Sequence, residues 1–186
     1  EQYLRVAEFF TAEYTPGSPT RYGATITCGS AATASNDFLP YYLSSNAPIW
    51  QKDLTVQIDT TEMVNAMKQY YQMTRYASQQ QWWRNSVRQF AEGMTATTII
   101  YSNYAADIIN SKHSSVVGKI GAAIVPGEKP LLGGGVVGIS RYSSKIDACR
   151  KFFQWYYSPD VASLLIQLGG TSPLADTYKN KKNFSI

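Results

Sequence analysis

The segment Pro126-Gly-Glu-Lys-Pro-Leu-Leu-Gly-Gly-Gly-Val-Val-Gly-Ile-Ser140 sets Gly133, Gly134 and Gly135 directly ahead of an apolar run. Glycine leaves main-chain N–H and C=O groups uncovered, so a strand that starts on such a run can meet a ligand with bare backbone. The residues after the glycines exclude two phosphate chemistries. No Lys-Ser/Thr pair comes after the loop, as a Walker A motif requires, and the glycines lead into an apolar strand pattern where a dinucleotide fingerprint would open a helix. Trp82 and Trp83 are adjacent and come after a polar stretch, which makes them either a hydrophobic plug or a stacking platform. Tyr101 closes a β-branched run just ahead of Ser102 and Asn103, where a helix start brings free N–H groups beside an aromatic face.

Catalytic chemistry finds no support in local spacing. His113, in the loop Asn110-Ser-Lys-His-Ser-Ser115, has no cysteine, second histidine or carboxylate pair near it in sequence, and it reads as a surface histidine. A Ser-His-Asp triad would have to use it, and no Gly-x-Ser-x-Gly elbow supplies the serine. Asp59 and Asp160 fall at helix starts and Glu8 and Glu62 on helices, so no carboxylate pair for glycoside hydrolysis is adjacent in sequence; pairing across the fold stays open. Cys28 and Cys149 are too distant in sequence for a metal motif and read as two buried thiols, with a disulfide as the alternative. No catalytic residue, metal site or cofactor is expected.

The 186 residues are enough for one domain with a core, and the apolar runs fall well short of the ~20 residues a spanning helix needs. The net charge of +4 is dispersed except at Lys179, Lys181 and Lys182, and no stretch interleaves cations with aromatics as nucleic-acid binders do. Aromatic residues make up 13%, with 14 tyrosines, an excess that suits a surface stacking on flat apolar faces such as sugar rings. The chain opens on Glu1 inside a helical pattern without Met, basic region or apolar leader, which predicts a mature piece or an excised fragment.

The elements that would position these residues are read from periodicity. A helix is expected over residues 1–11, then a strand through Tyr22, Ala24, Ile26 and Cys28, and a short helix over Asn36-Asp-Phe-Leu-Pro-Tyr-Tyr-Leu43 at the strand's C-terminal end. Ile49-Trp50 and Thr55 to Ile58 read as short strands around a polar turn, and Asp59-Thr-Thr-Glu62 as an acidic cap for a helix through Met63, Ala66, Met67, Tyr70 and Tyr71. Ser78 to Gln81 reads as a polar linker, with a helix after it that stops at Gly93. Met94 to Tyr101 is expected as a central strand, then a helix over 103–111, a strand over Lys119 to Val125 and the glycine-led strand. A helix with Ile146, Cys149, Phe152, Phe153 and Tyr156 inward comes next, then one with Ser158 ahead of Pro159 that ends at Gly169-Gly170, and a polar tail that frays. Strands alternating with helices, without a repeat or a marked internal boundary, give an α/β layered domain.

Taken in order, Phe90-Ala-Glu-Gly-Met-Thr-Ala96, Gly118-Lys-Ile-Gly-Ala-Ala-Ile-Val-Pro-Gly127, Leu132-Gly-Gly-Gly-Val-Val-Gly-Ile-Ser140 and Ala148 to Ser158 resemble the extracellular solute-binding proteins of family 1, the sugar-type receptors of ABC importers. The resemblance runs from about Tyr22-Gly23 to Pro173. It implies a three-layer, type II periplasmic-binding-protein-like lobe with a mixed sheet flanked by helices. Residues 1–186 would be a single α/β domain, most of the C-terminal lobe of a two-lobe receptor, without its N-terminal lobe and C-terminal helical tail. It implies a role without chemistry of its own, binding a small solute, a sugar or oligosaccharide, in an interlobe cleft and delivering it to the transmembrane subunits of a permease. The setting would be extracellular or periplasmic, with an N-terminal lipid anchor outside this chain, and no nucleic-acid partner. Ligand-facing positions carried over are Tyr101, Gly133-Gly134, and Asn36, Asp37 and Phe38, with Asn103, Gly135, Trp82 and Trp83 beside them. Many members of the family carry Trp after the Gly-Gly pair; Gly135 stands there, which removes ~1 kcal/mol or more of stacking and makes the pocket roomier. A secreted carbohydrate-active hydrolase and a ligand-sensing ectodomain are the alternatives.

Overall fold

Apolar residues alternating with threonine, three of the four β-branched, make Ala24–Thr27 the strand β1, and all four of its residues are buried. It lies between two other segments. On one side it pairs in parallel with β2 (Ala77–Gln80), in the register Ala24 to Ala77 through Thr27 to Gln80. On the other side residues 95–98 run beside it: Tyr22 bridges Thr95 in parallel, and the N–H groups of Ala96 and Thr97 donate to the carbonyls of Tyr22 and Gly23. The computed structural model describes residues 1–109 and 112–180, which divide into two compact units, residues 1–101 with 107–109 and 112–132, and residues 102–106 with 133–180.

In the first unit, helices cover this small sheet. Helix α1 (Gln2–Phe9) buries Ala7, and a Cβ on Gly23 would collide with Ala7's backbone, so glycine sets the approach of helix to strand. Thr11, also buried, stitches the strand's beginning: its hydroxyl lies 2.7 Å from the Ala7 carbonyl oxygen and 3.2 Å from that of Tyr76, and it accepts from the Gly23 N–H at 3.0 Å. Helix α2 (Ala31–Leu43) begins with a capping box in which Ser30 and Thr33 exchange side-chain and backbone bonds, and α3 (Thr61–Met73) is capped by the Thr60 hydroxyl on the Met63 N–H. Ala7, Ala24, Ile26, Met73, Tyr76 and Ala77 form the core, with Tyr3, Leu4, Tyr41 and Tyr70 packed on it. Helix α4 (Trp83–Ala91) packs against β1 and β2 and stops at Gly93, whose φ of 75° and hydrogen bond to the Phe90 carbonyl are those of a left-handed helix stop.

A 3-10 turn (Ser102–Tyr104) leads into α5 (Ala105–Ile109). In the second unit, α6 (Ile146–Tyr156) and α7 (Pro159–Gln167, with Pro159 in its first turn) pack on each other, and a 3-10 helix (Ala175–Lys179) packs on α7.

Several expectations change. The central strand is β1 and not Met94 to Tyr101, because β1 has β2 on one side and residues 95–98 on the other; the threonines of the latter add side-chain contacts, Thr97 Oγ1 donating to the Gly23 carbonyl and Thr98 Oγ1 meeting Thr25 Oγ1 at 2.7 Å. Ser78 to Gln81, expected as a linker, supplies most of β2; its polar side chains are satisfied by one another and by α4, with Gln80 Nε2 donating to Ser78 Oγ and Ser78 to Gln89 Oε1. Residues 119–125 and 133–139 form no strand, since no ladder partner lies beside them among the described residues; Ile124, Leu132, Val136 and Val137 are exposed. The pair around Gln51 to Thr55 reduces to a hairpin with one antiparallel bridge, Trp50 to Val56. Helix α2 starts five residues before the expected Asn36, because Ser30 and Thr33 cap it. Thr60 rather than Asp59 caps α3. No residue of α6 is buried: the Phe152 ring, meant to face inward, is 52% exposed and stacks on Tyr156. Cys28, expected buried, is exposed beyond the last rung of β1, Cys149 is half-buried, and both are free thiols. The tail carries a 3-10 helix over 175–179 where fraying was expected; Lys181 and Lys182, like the last two residues of the helix expected over 103–111, lie outside the described residues.

Candidate ligand-binding edge

Because β1, β2 and residues 95–98 run in the same direction, their carboxyl ends leave the sheet on one side, the side on which open α/β sheets bind ligands. The chain there reads Cys28-Gly-Ser30 after β1, Gln81-Trp-Trp83 after β2, and Tyr101 beyond the third segment. The Cys28 N–H closes the ladder on the Gln80 carbonyl at 2.9 Å. One residue later a Cβ on Gly29 would overlap the Gln81 carbonyl oxygen and sit 2.6 Å from Gln81 Cα and from Oε1, so glycine is what allows the two loops to touch.

That contact presents an aromatic surface. Trp82 takes extended backbone angles as the N-cap of α4, and Trp83 is the helix's first residue; their ring centroids are 4.5 Å apart at 54°. Trp83 meets Tyr101 edge-to-face at 5.5 Å and 78°, while Trp82 is 47% exposed. A packed ring pair with one indole nearly half exposed offers an aromatic surface of the kind on which flat apolar faces stack. Polar groups flank it: the Cys28 thiol reaches Gln79 Oε1 at 3.9 Å, and no side chain caps the start of α4.

Beneath this edge, Asp37 accepts the Thr27 N–H on Oδ2 at 3.1 Å, and the Thr27 hydroxyl meets that of Ser86 on α4 at 2.8 Å. Burial lifts the Asp37 carboxyl to about 7, against the Thr27 N–H, which lowers it. Burial also raises the hydroxyls of Tyr3, to about 12, and of Tyr41 and Tyr70 beyond the usual tyrosine range. Phe38 and Tyr41 pack edge-to-face on the Tyr70 ring at 5.7 and 5.4 Å.

The structure therefore joins Trp82, Trp83 and Tyr101 in one cluster and places Asn36, Asp37 and Phe38 on α2, the last two engaged with partners inside the fold. Asn103 and Gly133 to Gly135 belong to the second unit, exposed, with nothing within 4 Å of a Cβ built on Gly134 or Gly135. Gly29, Gln81, Thr27 and Ser86 were missed from the sequence; the signal for the first was Gly29-Ser30 directly after an alternating strand. A separate cleft of about 290 Å³ in the first unit is lined by Tyr3, Tyr41, Gln69, Ile99, Pro126 and Gly127 among others. Among the described residues no group of three His, Cys, Asp or Glu could hold a metal ion, and no helix is long and apolar enough to cross a membrane.

Comparison with known proteins agrees with this architecture. The chain superposes on maltose-bound T. maritima MalE3 with a TM-score of 0.80 at 22% identity, over 98% of this chain and 49% of that one. An ABC transporter solute-binding protein from Agrobacterium radiobacter K84, in complex with ribitol, gives 0.74 at 19% identity, over 92% and 45%. At that identity these likenesses establish the fold, a periplasmic-binding-protein-like α/β lobe. A probable amino-acid ABC transporter periplasmic-binding protein of Sinorhizobium fredii is 31% identical over 88 residues, 47% of this chain. The chain spans 20% of that relative and less than half of each solved chain. Residues 13–163 match the family described as bacterial extracellular solute-binding protein, and the chain belongs to that family.

Proposed function

We propose that the protein is the substrate-binding component of an ABC importer and that it holds a sugar or polyol against the platform of Trp82, Trp83 and Tyr101. The observation that carries this reading is the platform itself: three packed rings at the carboxyl ends of parallel strands, with one indole face open. Sugars present flat C–H faces to such rings and hydroxyls to the surrounding main chain and side chains, so stacking and hydrogen bonding act together. The ribitol and maltose bound by the two solved relatives support a polyhydroxylated solute. In this reading a second lobe closes over the solute, and the closed form is what the permease's transmembrane subunits engage, outside the cell or in the periplasm.

A thermal-shift panel of mono- and oligosaccharides, polyols and amino acids tests it, because a solute that binds the native state raises the apparent stability. The expected result is a shift with a sugar or polyol that disappears in Trp82→Ala. A shift with amino acids alone, in line with the name of the Sinorhizobium relative, would replace the ligand class.

A further inference from the structure

Two hydrogen bonds from different helices converge on Thr27, the last residue of β1. Asp37 of α2 takes its N–H, Ser86 of α4 meets its hydroxyl, and both Thr27 and Ser86 are closed to solvent. The next three residues are the Cys28 to Ser30 loop that packs on Gln81 and carries the ligand edge. The titratable groups that feel the charge of Asp37 are Tyr3 on α1, Tyr41 on α2, Tyr70 on α3 and Cys28 after β1, and none of them is a cation. A buried carboxyl held by one backbone N–H, among groups that are neutral or turn anionic, has two accessible states near neutral pH. Among the described residues the buried Tyr70 hydroxyl has no hydrogen-bond partner.

We infer that Asp37 is a positioning residue: through the Thr27 N–H its carboxyl sets the course on which β1 leaves the sheet, and gain or loss of its proton re-aims the Cys28 to Ser30 loop and, through its contact with Gln81, the tryptophans that follow in the chain. The effect on solute rests on the proposed solute-binding role; the coupling within the protein does not. As a carboxylate, Asp37 accepts the Thr27 N–H in a charge-assisted bond, and as a neutral acid it accepts more weakly and has an O–H to donate.

The test is a titration of the ligand-free chain by amide NMR from about pH 5 to about pH 9, with Asp37→Asn and His113→Gln, which replaces the one histidine of the sequence, in parallel. The Thr27 amide and the Trp82 and Trp83 indole N–H signals are expected to move with one shared midpoint near neutrality, to keep it in His113→Gln and to lose it in Asp37→Asn. A Thr27 amide that stays flat overturns the inference, and so does a midpoint that vanishes with His113. If Asp37→Asn does not fold, the wild-type and His113→Gln titrations decide. A solute found in the panel should bind with an affinity that changes about threefold to tenfold across the same midpoint; equal affinity at both ends, with Thr27 titrating, also overturns it. A panel without any binder counts against the solute-binding role alone, and the NMR titration still decides the coupling.

Discussion

Gly29→Ala puts one methyl group where the two loops of the ligand edge touch. Its Cβ would overlap the Gln81 carbonyl oxygen and lie 2.6 Å from Gln81 Cα and from Oε1. The amide oxygen is the end of a flexible side chain and can swing aside. The two backbone atoms cannot, and reaching ordinary van der Waals separation takes a retreat of about 1 Å. That retreat strains the last ladder bond, from the Cys28 N–H to the Gln80 carbonyl, and carries Trp82 with it. Overpacking of this kind costs about 1–3 kcal/mol, and the loss of unfolded-state freedom on replacing glycine returns about 0.4–1 kcal/mol. The expected net destabilisation of about 1–2 kcal/mol lowers Tm by about 2–8 °C in a chain of this size. Thermal unfolding monitored by tryptophan emission, together with titration of any solute from the panel, measures both consequences. Gly135→Ala serves as the control, because nothing lies within 4 Å of its Cβ, and it should match or slightly exceed the wild type in stability. If Gly29→Ala melts with the wild type and keeps its emission spectrum, the contact between the loops is not what holds the platform.

Other substitutions probe the same framework. Asp37→Asn should flatten the pH dependence of stability: a carboxyl lifted to about 7 from an unfolded value of about 3.9 stabilises most below the lower value and loses that contribution as pH rises through the upper one, on the order of 4 kcal/mol at most, so urea unfolding should show the variant gaining on the wild type between about pH 4 and about pH 8. Thr11→Val removes the side-chain acceptor of the Gly23 N–H, which keeps the Tyr76 carbonyl, and should cost about 0.5–1.5 kcal/mol in urea unfolding. Trp82→Ala removes a ring that is nearly half exposed, so Tm should fall by no more than about 3 °C while solute affinity drops about fivefold to tenfold by calorimetric titration.

The parts of the fold legible in the sequence were those with a strong local signal. Helices α3, α4 and α7 are legible in apolar spacing, with Gly93 stopping α4 and Pro159 in the first turn of α7, and β1 in the alternation of apolar residues with threonine. The elements misread depend on distant partners. Ala77 to Gln80 carries no β-branched residue and becomes a strand because β1 offers it a parallel partner and Gln89 a hydrogen bond. Met94 to Tyr101 has a strongly β-forming composition and runs beside β1 at the edge, with a single parallel bridge, Tyr22 to Thr95, and the N–H groups of Ala96 and Thr97 on the carbonyls of Tyr22 and Gly23. Within the site, the tryptophans and Tyr101 stood out by residue type. Gly29 did not, because its role arises from Gln81, which is fifty-two positions away in sequence.

Strand β1 is tied down at both ends by groups outside its ladder, Thr11 at Gly23, and Asp37 and Ser86 at Thr27. Slipping by one residue would invert its faces and break all three ties together, so its register is settled before β2 is considered. This relieves β2 of any duty to specify alignment. Its exposed position Gln79 should therefore accept wide substitution, and the strand is free to vary for the sake of what hangs from its end. In the proposed solute-binding role, a library randomised at residues 79 to 82 would then alter which solute the edge prefers on a base whose alignment β1 has already fixed.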